Sequence, residues 1–196
     1  TGLTSLNGDT LRLIAPFIRT ANHKTKALSG NTDIAFNAGT DYSSISSANS
    51  LQKADVHELV SVVETSGGAD VTTHFDLDNG QRDDFYGVGH ITLKSTSNYT
   101  ATAALTARFK FFTHSTAGDF FTVDSYTGQI DYDKIPKISG IELRSAVDFR
   151  PRQDDSGGNF TGTGAIVAVA PSRFTQFETD IQFYLPRIDK VYLDSK

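Results

Sequence analysis

Strict two-residue alternation limits what this chain can become. In 102–111, Ala103, Leu105, Ala107, Phe109 and Phe111 alternate with Thr102, Thr106, Arg108 and Lys110. In 141–150, Ile141, Leu143, Val147 and Phe149 alternate with Glu142, Arg144, Asp148 and Arg150. In 176–185, Phe177, Ile181, Phe183 and Leu185 alternate with Gln176, Glu178, Asp180, Gln182 and Tyr184. Successive side chains of a strand point to opposite faces, so each apolar set takes the inner face of an antiparallel sheet. No stretch keeps a 3.6-residue apolar period over three turns, and only 50–58 offers a short helical turn, with Ser50 as its cap.

Further strands are expected at 11–20, 59–65, 70–77, 88–95, 119–126, 165–170 and 190–193. Gly67-Gly68, Asn79-Gly80, Thr127-Gly128, Ser139-Gly140 and Gly157-Gly158 supply tight reversals between them. Pro136, Pro151, Pro171 and Pro186 fall near segment ends, where a missing amide donor harms a ladder least. The expected fold is therefore all-β: an antiparallel β-sandwich, as one unit or two packed β-subdomains, over 51–196. Residues 1–50 read as an N-terminal strand followed by an extended arm. The Ser-, Asn- and Gly-rich stretch 21–50 carries scattered Ile34, Phe36, Tyr42 and Ile45 as anchors.

Composition narrows the chemistry. A net charge of −5 argues against a nucleic-acid surface, which needs clustered Lys and Arg. No apolar run approaches the roughly 18 residues of a membrane-spanning helix. With no cysteine, disulfides, thiolate nucleophiles and Cys-ligated zinc are excluded. The chain opens Thr1-Gly2-Leu3 and contains no methionine, which reads as an internal piece of a longer polypeptide.

Candidate chemical sites are weak. Asp76 and Asp78 match the first two ligand positions of a calcium loop, but Gly80, Gln81 and Gly87 fall where an acid, the Gly and the Glu belong. The stretch reads instead as an Asn79-Gly80 turn whose carboxylates stay solvated or pair with Arg82. His74 and His90 flank that turn and would hold a metal with Asp76 only if they faced each other, and cross-strand hydrogen bonding is the simpler expectation. No Gly-x-Ser-x-Gly elbow is present, and Gly162-Thr163-Gly164 precedes a strand rather than a helix. No catalytic, cofactor-binding or metal residues are assigned. Asp148, Arg150, Arg187 and Asp189 are expected to form a structural ion-pair network that fixes strand register or a junction, since Arg pairs carboxylates through a rigid fork.

Several stretches resemble a known family. They are Leu51-Gln52-Lys53-Ala54-Asp55-Val56, Leu77-Asp78-Asn79-Gly80-Gln81-Arg82-Asp83-Asp84-Phe85-Tyr86 and Gly118-Asp119-Phe120-Phe121-Thr122-Val123-Asp124-Ser125-Tyr126. They continue through Asp131-Tyr132-Asp133-Lys134-Ile135-Pro136, Val147-Asp148-Phe149-Arg150-Pro151-Arg152 and Phe183-Tyr184-Leu185-Pro186-Arg187-Ile188-Asp189-Lys190. In order and spacing, over about 51–193, they resemble large virion structural proteins of contractile-tailed phages, notably those infecting marine cyanobacteria and other marine bacteria. The resemblance implies a non-enzymatic, fibre- or baseplate-associated tail protein without cofactors, located in the virion. Its partners would be other virion tail proteins and copies of itself. The competing expectation is a receptor- or carbohydrate-binding module of a tail fibre or adhesin, with Phe85, Tyr86, Phe120 and Tyr126 as a stacking platform.

Overall fold

The computed structural model describes residues 20–37, 49–65, 68–100 and 104–161, together with 176, 178 and 180. It is all-β, with antiparallel sheets and only short 3-10 turns between strands. The strands are β1 (Lys26–Leu28), β2 (Thr32–Phe36), β3 (Ser50–Ala54), β4 (Val56–Glu64), β5 (Phe75–Asp78), β6 (Val88–Leu93), β7 (Leu105–His114), β8 (Lys137–Ile138) and β9 (Ile141–Glu142). The strands expected at 11–20, 165–170, 176–185 and 190–193 lie outside the described residues or almost wholly so.

β7 is the axis of the larger sheet. β1 and β2 pair with it in succession, and β4 pairs with it as well. Between Leu28↔Phe112 and Thr32↔Phe109 the register slips by one residue, so Ser29–Asn31 acts as a bulge. Both β1 and β2 fall within the stretch expected as an arm. In the smaller sheet β6 lies between β3 and β5.

The alternation in β7 does more than mark a strand. Leu105, Ala107, Phe109 and Phe111 are buried on one face. They join Phe36, Leu51, Val56, Val62, Val71, Phe75 and Ile91 in a core fed by both sheets. Beyond Phe111 the buried residues change parity to Phe112 and His114, on the opposite face. Phe112 enters a second core with Tyr126, Ile135 and Leu143. One strand therefore serves two cores without a break.

Three expectations are corrected. The segment 50–58 forms β3 and the start of β4, not a helical turn. Positive φ at Gln52 and Asp55 breaks the run where a helix would need right-handed geometry. Residues 119–126 make bridges at Phe120 and Phe121 and then a 3-10 turn at Val123–Tyr126. The Thr122 and Ser125 side chains close that turn as a capping box. Finally, 141–150 is no continuous strand: β9 gives way to a 3-10 turn at Leu143–Ser145, and of the expected inner face only Leu143 is fully buried. Ile141 and Val147 are exposed, whereas Asp148 and Arg150 are buried.

The turn residues behave as their chemistry demands. Ser139 and Gly140, both at positive φ, join β8 to β9 as a tight hairpin. Gly80 has φ +78 and opens a long loop, 79–87, between β5 and β6. A Cβ there would drive into the Gly87 carbonyl, whose amide donates to Gly80 O at 2.6 Å. Gly128 has a similar φ of +73 but faces open space. Gly80→Ala should therefore cost well over about 2 kcal/mol in urea unfolding, and Gly128→Ala only about 1 kcal/mol.

Candidate functional site

A cluster of buried ionisable groups gathers where the ends of β1 and β7 meet the joint between β3 and β4. Lys26 and His114 are register partners and share one face of the larger sheet. Asp55 sits between β3 and β4 with φ +58, a left-handed conformation that Asp tolerates better than most residues. Its backbone is held on both sides, with its N–H donating to Gly87 O at 3.2 Å and its carbonyl accepting from Phe112 N–H at 2.9 Å. The turn in the chain aims the carboxylate inward.

That carboxylate is fully saturated. Lys26 Nζ donates to Oδ2 at 2.7 Å, His114 Nε2 donates to the same oxygen at 2.7 Å, and Gln81 Nε2 donates to Oδ1 at 2.6 Å. The side chains of Lys26, Asp55 and His114 are all 0% exposed. Burial alone would raise the Asp55 pKa, but the Lys26 charge and the His114 hydrogen bond outweigh it and hold the carboxyl far below its usual range. Burial likewise pulls Lys26 down, and the facing Asp55 charge reverses this, leaving its pKa above the ordinary value. His114 is lowered to about 4 by burial and by the Lys26 cation, so its imidazole is neutral near pH 7. Because a carboxylate only accepts, the neutral ring carries its proton on Nε2.

Aromatic rings wall the pair off from water. The Lys26 ammonium lies 3.9 Å from the Tyr86 ring centre and 4.8 Å from those of Phe121 and Tyr126. His114 meets Tyr86 and Phe121 edge to face, with centroids 4.9 and 4.7 Å away. Quadrupole attraction from these ring faces returns part of the ammonium's lost hydration.

A second buried pair continues the network. Arg150 forks onto Asp148, with Nε 3.0 Å from Oδ1 and Nη2 2.7 Å from Oδ2. Its Nη2 also donates to Gln81 Oε1 at 3.0 Å, and its Nη1 to Arg82 O at 2.6 Å. The Tyr86 hydroxyl donates to Asp148, and the Arg150 guanidinium lies 4.2 Å from the Tyr86 ring centre. Burial opposes ionisation of Asp148, but the Arg150 fork and charge keep its pKa below normal. Gln81 thus joins both ion pairs through one amide. Backbone bridges at Phe121–Asp148 and from Tyr86 to Pro151 and Gln153 tie the same segments together.

Of the four residues expected to pair, Asp148 and Arg150 are brought together here, and Arg187 and Asp189 lie outside the described residues. Lys26, Asp55, Gln81, Tyr86 and His114 carry no sequence signal that singles them out as a cluster. Asp55 finds Lys26 29 positions away and His114 59 positions away.

The other candidates resolve differently. Asp78 accepts from Gly80 N–H at 3.0 Å and from both terminal nitrogens of Arg82, as a turn with a paired carboxylate. His90 pairs in register with Asp78, whereas His74 contacts Ser97 and stacks on Tyr99, so the two histidines do not face each other. Among the described residues no group of three or more His, Asp or Glu is arranged to hold a metal. Tyr86 and Tyr126, expected as part of an exposed platform, are buried.

Two open cavities border the network. One, of about 530 Å³, is lined by Arg82, Phe85, His90 and Gln153 among others. The other, of about 360 Å³, has Phe111, His114 and Arg152 in its wall. No family model, curated protein or solved structure matches this chain.

Acid should loosen this site through His114. Its folded pKa of about 4 lies below its ordinary 6.5, so between those values the unfolded chain binds the proton and the folded chain does not. Stability is then full above about pH 6.5 and falls as pH drops toward 4, by roughly 3 kcal/mol. Urea midpoints measured across that range check this, and a His114→Phe variant should flatten the profile.

Proposed function

We propose that this chain is a non-catalytic structural domain of a phage virion tail, fibre- or baseplate-associated. It assembles with other virion tail proteins and with copies of itself. The observation that carries the non-catalytic reading is the sealing of the ionisable cluster. Lys26, Asp55 and His114 would be a nucleophile, an acid and a base in an open cleft, yet here their side chains have no exposed surface and pair with one another. Their contacts, closed to any outside substrate, hold β1, the β3–β4 joint, the 79–87 loop, β7 and the 148–152 segment in one arrangement.

The tail assignment is supported by the resemblance over 51–193. A chain without cysteine or methionine also offers no sulfur to oxidise outside a cell. Among the described residues no helix is long and apolar enough to cross a membrane.

Electron microscopy of the intact particle tests the assignment. Density for this fold is expected in the tail; finding it in a capsid lattice, or the chain absent from the particle, would sink the proposal. On the purified protein, Asp148→Ala leaves the Arg150 guanidinium buried without its carboxylate. It should cost about 3–5 kcal/mol in unfolding experiments and reduce incorporation into particles.

A further inference from the structure

We propose that Lys26 and Asp55 condense within the folded chain to an intramolecular amide (isopeptide) bond, and that Gln81 and His114 catalyse the closure. The inference goes beyond the virion reading and does not depend on it.

The geometry contains every part such a step needs. The nucleophile, Lys26 Nζ, touches Asp55 Oδ2 at 2.7 Å, so the carboxyl carbon lies one bond beyond the contacted atom. Both residues project from paired strands or a strand joint, and neither side chain has exposed surface. Such fixed proximity replaces a bimolecular encounter with an intramolecular one. The two carboxyl oxygens are differentiated by their donors: Gln81 holds Oδ1 at 2.6 Å and His114 holds Oδ2 at 2.7 Å.

The step balances without an external reagent. The charged pair is the resting state. A proton crosses the 2.7 Å contact from Nζ to Oδ2, giving a neutral amine and a carboxylic acid as a minor state of the pair. The amine lone pair attacks Cγ, and the C–Oδ1 π pair moves onto Oδ1, where the Gln81 amide N–H stabilises the oxyanion. The Cγ–Oδ2 bond then breaks as Oδ2 takes a second proton from the attacking nitrogen. The His114 Nε2–H bond stabilises the departing oxygen. The products are one amide and one water, and His114 and Gln81 end as they began. His114, in contact with the departing oxygen, also lines the open cavity walled by Phe111 and Arg152. His114 Nδ1, a buried acceptor without a hydrogen-bond partner in the structure, is available to receive the released water.

Intact-mass spectrometry of the purified folded chain is the test. The expected mass is that of the sequence less one water. Trypsin should then yield a branched peptide joining 25–53 to 54–82 through Lys26 and Asp55, with Lys26 uncleaved. A dehydrated mass without that branched peptide, or a full sequence mass after prolonged incubation of a chain shown folded by near-ultraviolet circular dichroism, overturns the proposal. Lys26→Arg should restore the full mass. Gln81→Leu should slow closure at least about a hundredfold when folding is started from urea. Closure at the wild-type rate in folded Gln81→Leu and His114→Phe chains would remove the catalytic roles.

Discussion

A carboxylate taken out of water loses several kcal/mol of hydration, and Asp55 is completely enclosed. The surroundings of this one group set the arrangement of much of the fold. Three donors from β1, β7 and the 79–87 loop must reach it together, so those segments have a single register in which the carboxylate is satisfied. A slip of one residue in β1 or β7 would swing Lys26 or His114 to the other sheet face. A wrong pairing would therefore leave a buried charge without its partner. Gln81 extends the same condition to the Arg150–Asp148 fork, making the two pairs interdependent.

Much of the architecture was legible from alternation and turn chemistry. β7 follows from Leu105, Ala107, Phe109 and Phe111, and the β8–β9 hairpin from Ser139-Gly140. Where the reading failed, the reason is physical. Alternation at 141–150 gives two faces but does not say which is inside. Asp148 and Arg150 look like a wet face, yet their mutual fork and Tyr86 make them buriable, leaving Ile141 and Val147 outside. The turn at Leu143–Ser145 also breaks the parity between the two halves of that segment. At 50–58, positive φ at Asp55 is a backbone choice with no pattern in the sequence.

The candidate site was legible only in its shorter-range part. Asp148 and Arg150 are two positions apart, and their Arg-with-Asp pattern shows in the chain. Lys26, Asp55 and His114 become neighbours only after three strands have assembled, and each looks unremarkable in its own segment. Buried polar clusters assembled from distant positions share no spacing rule, since the sheet, not the chain, sets their distances.

The change of parity in β7 also bears on how the molecule can be divided. Phe111 belongs to one core and Phe112, its immediate neighbour, to the other. A cut, insertion or circular permutation there would open both at once, because no spacer residue lies between them. Any scheme for splitting or grafting this chain has to place its junctions elsewhere and carry the whole of β7 intact in one fragment.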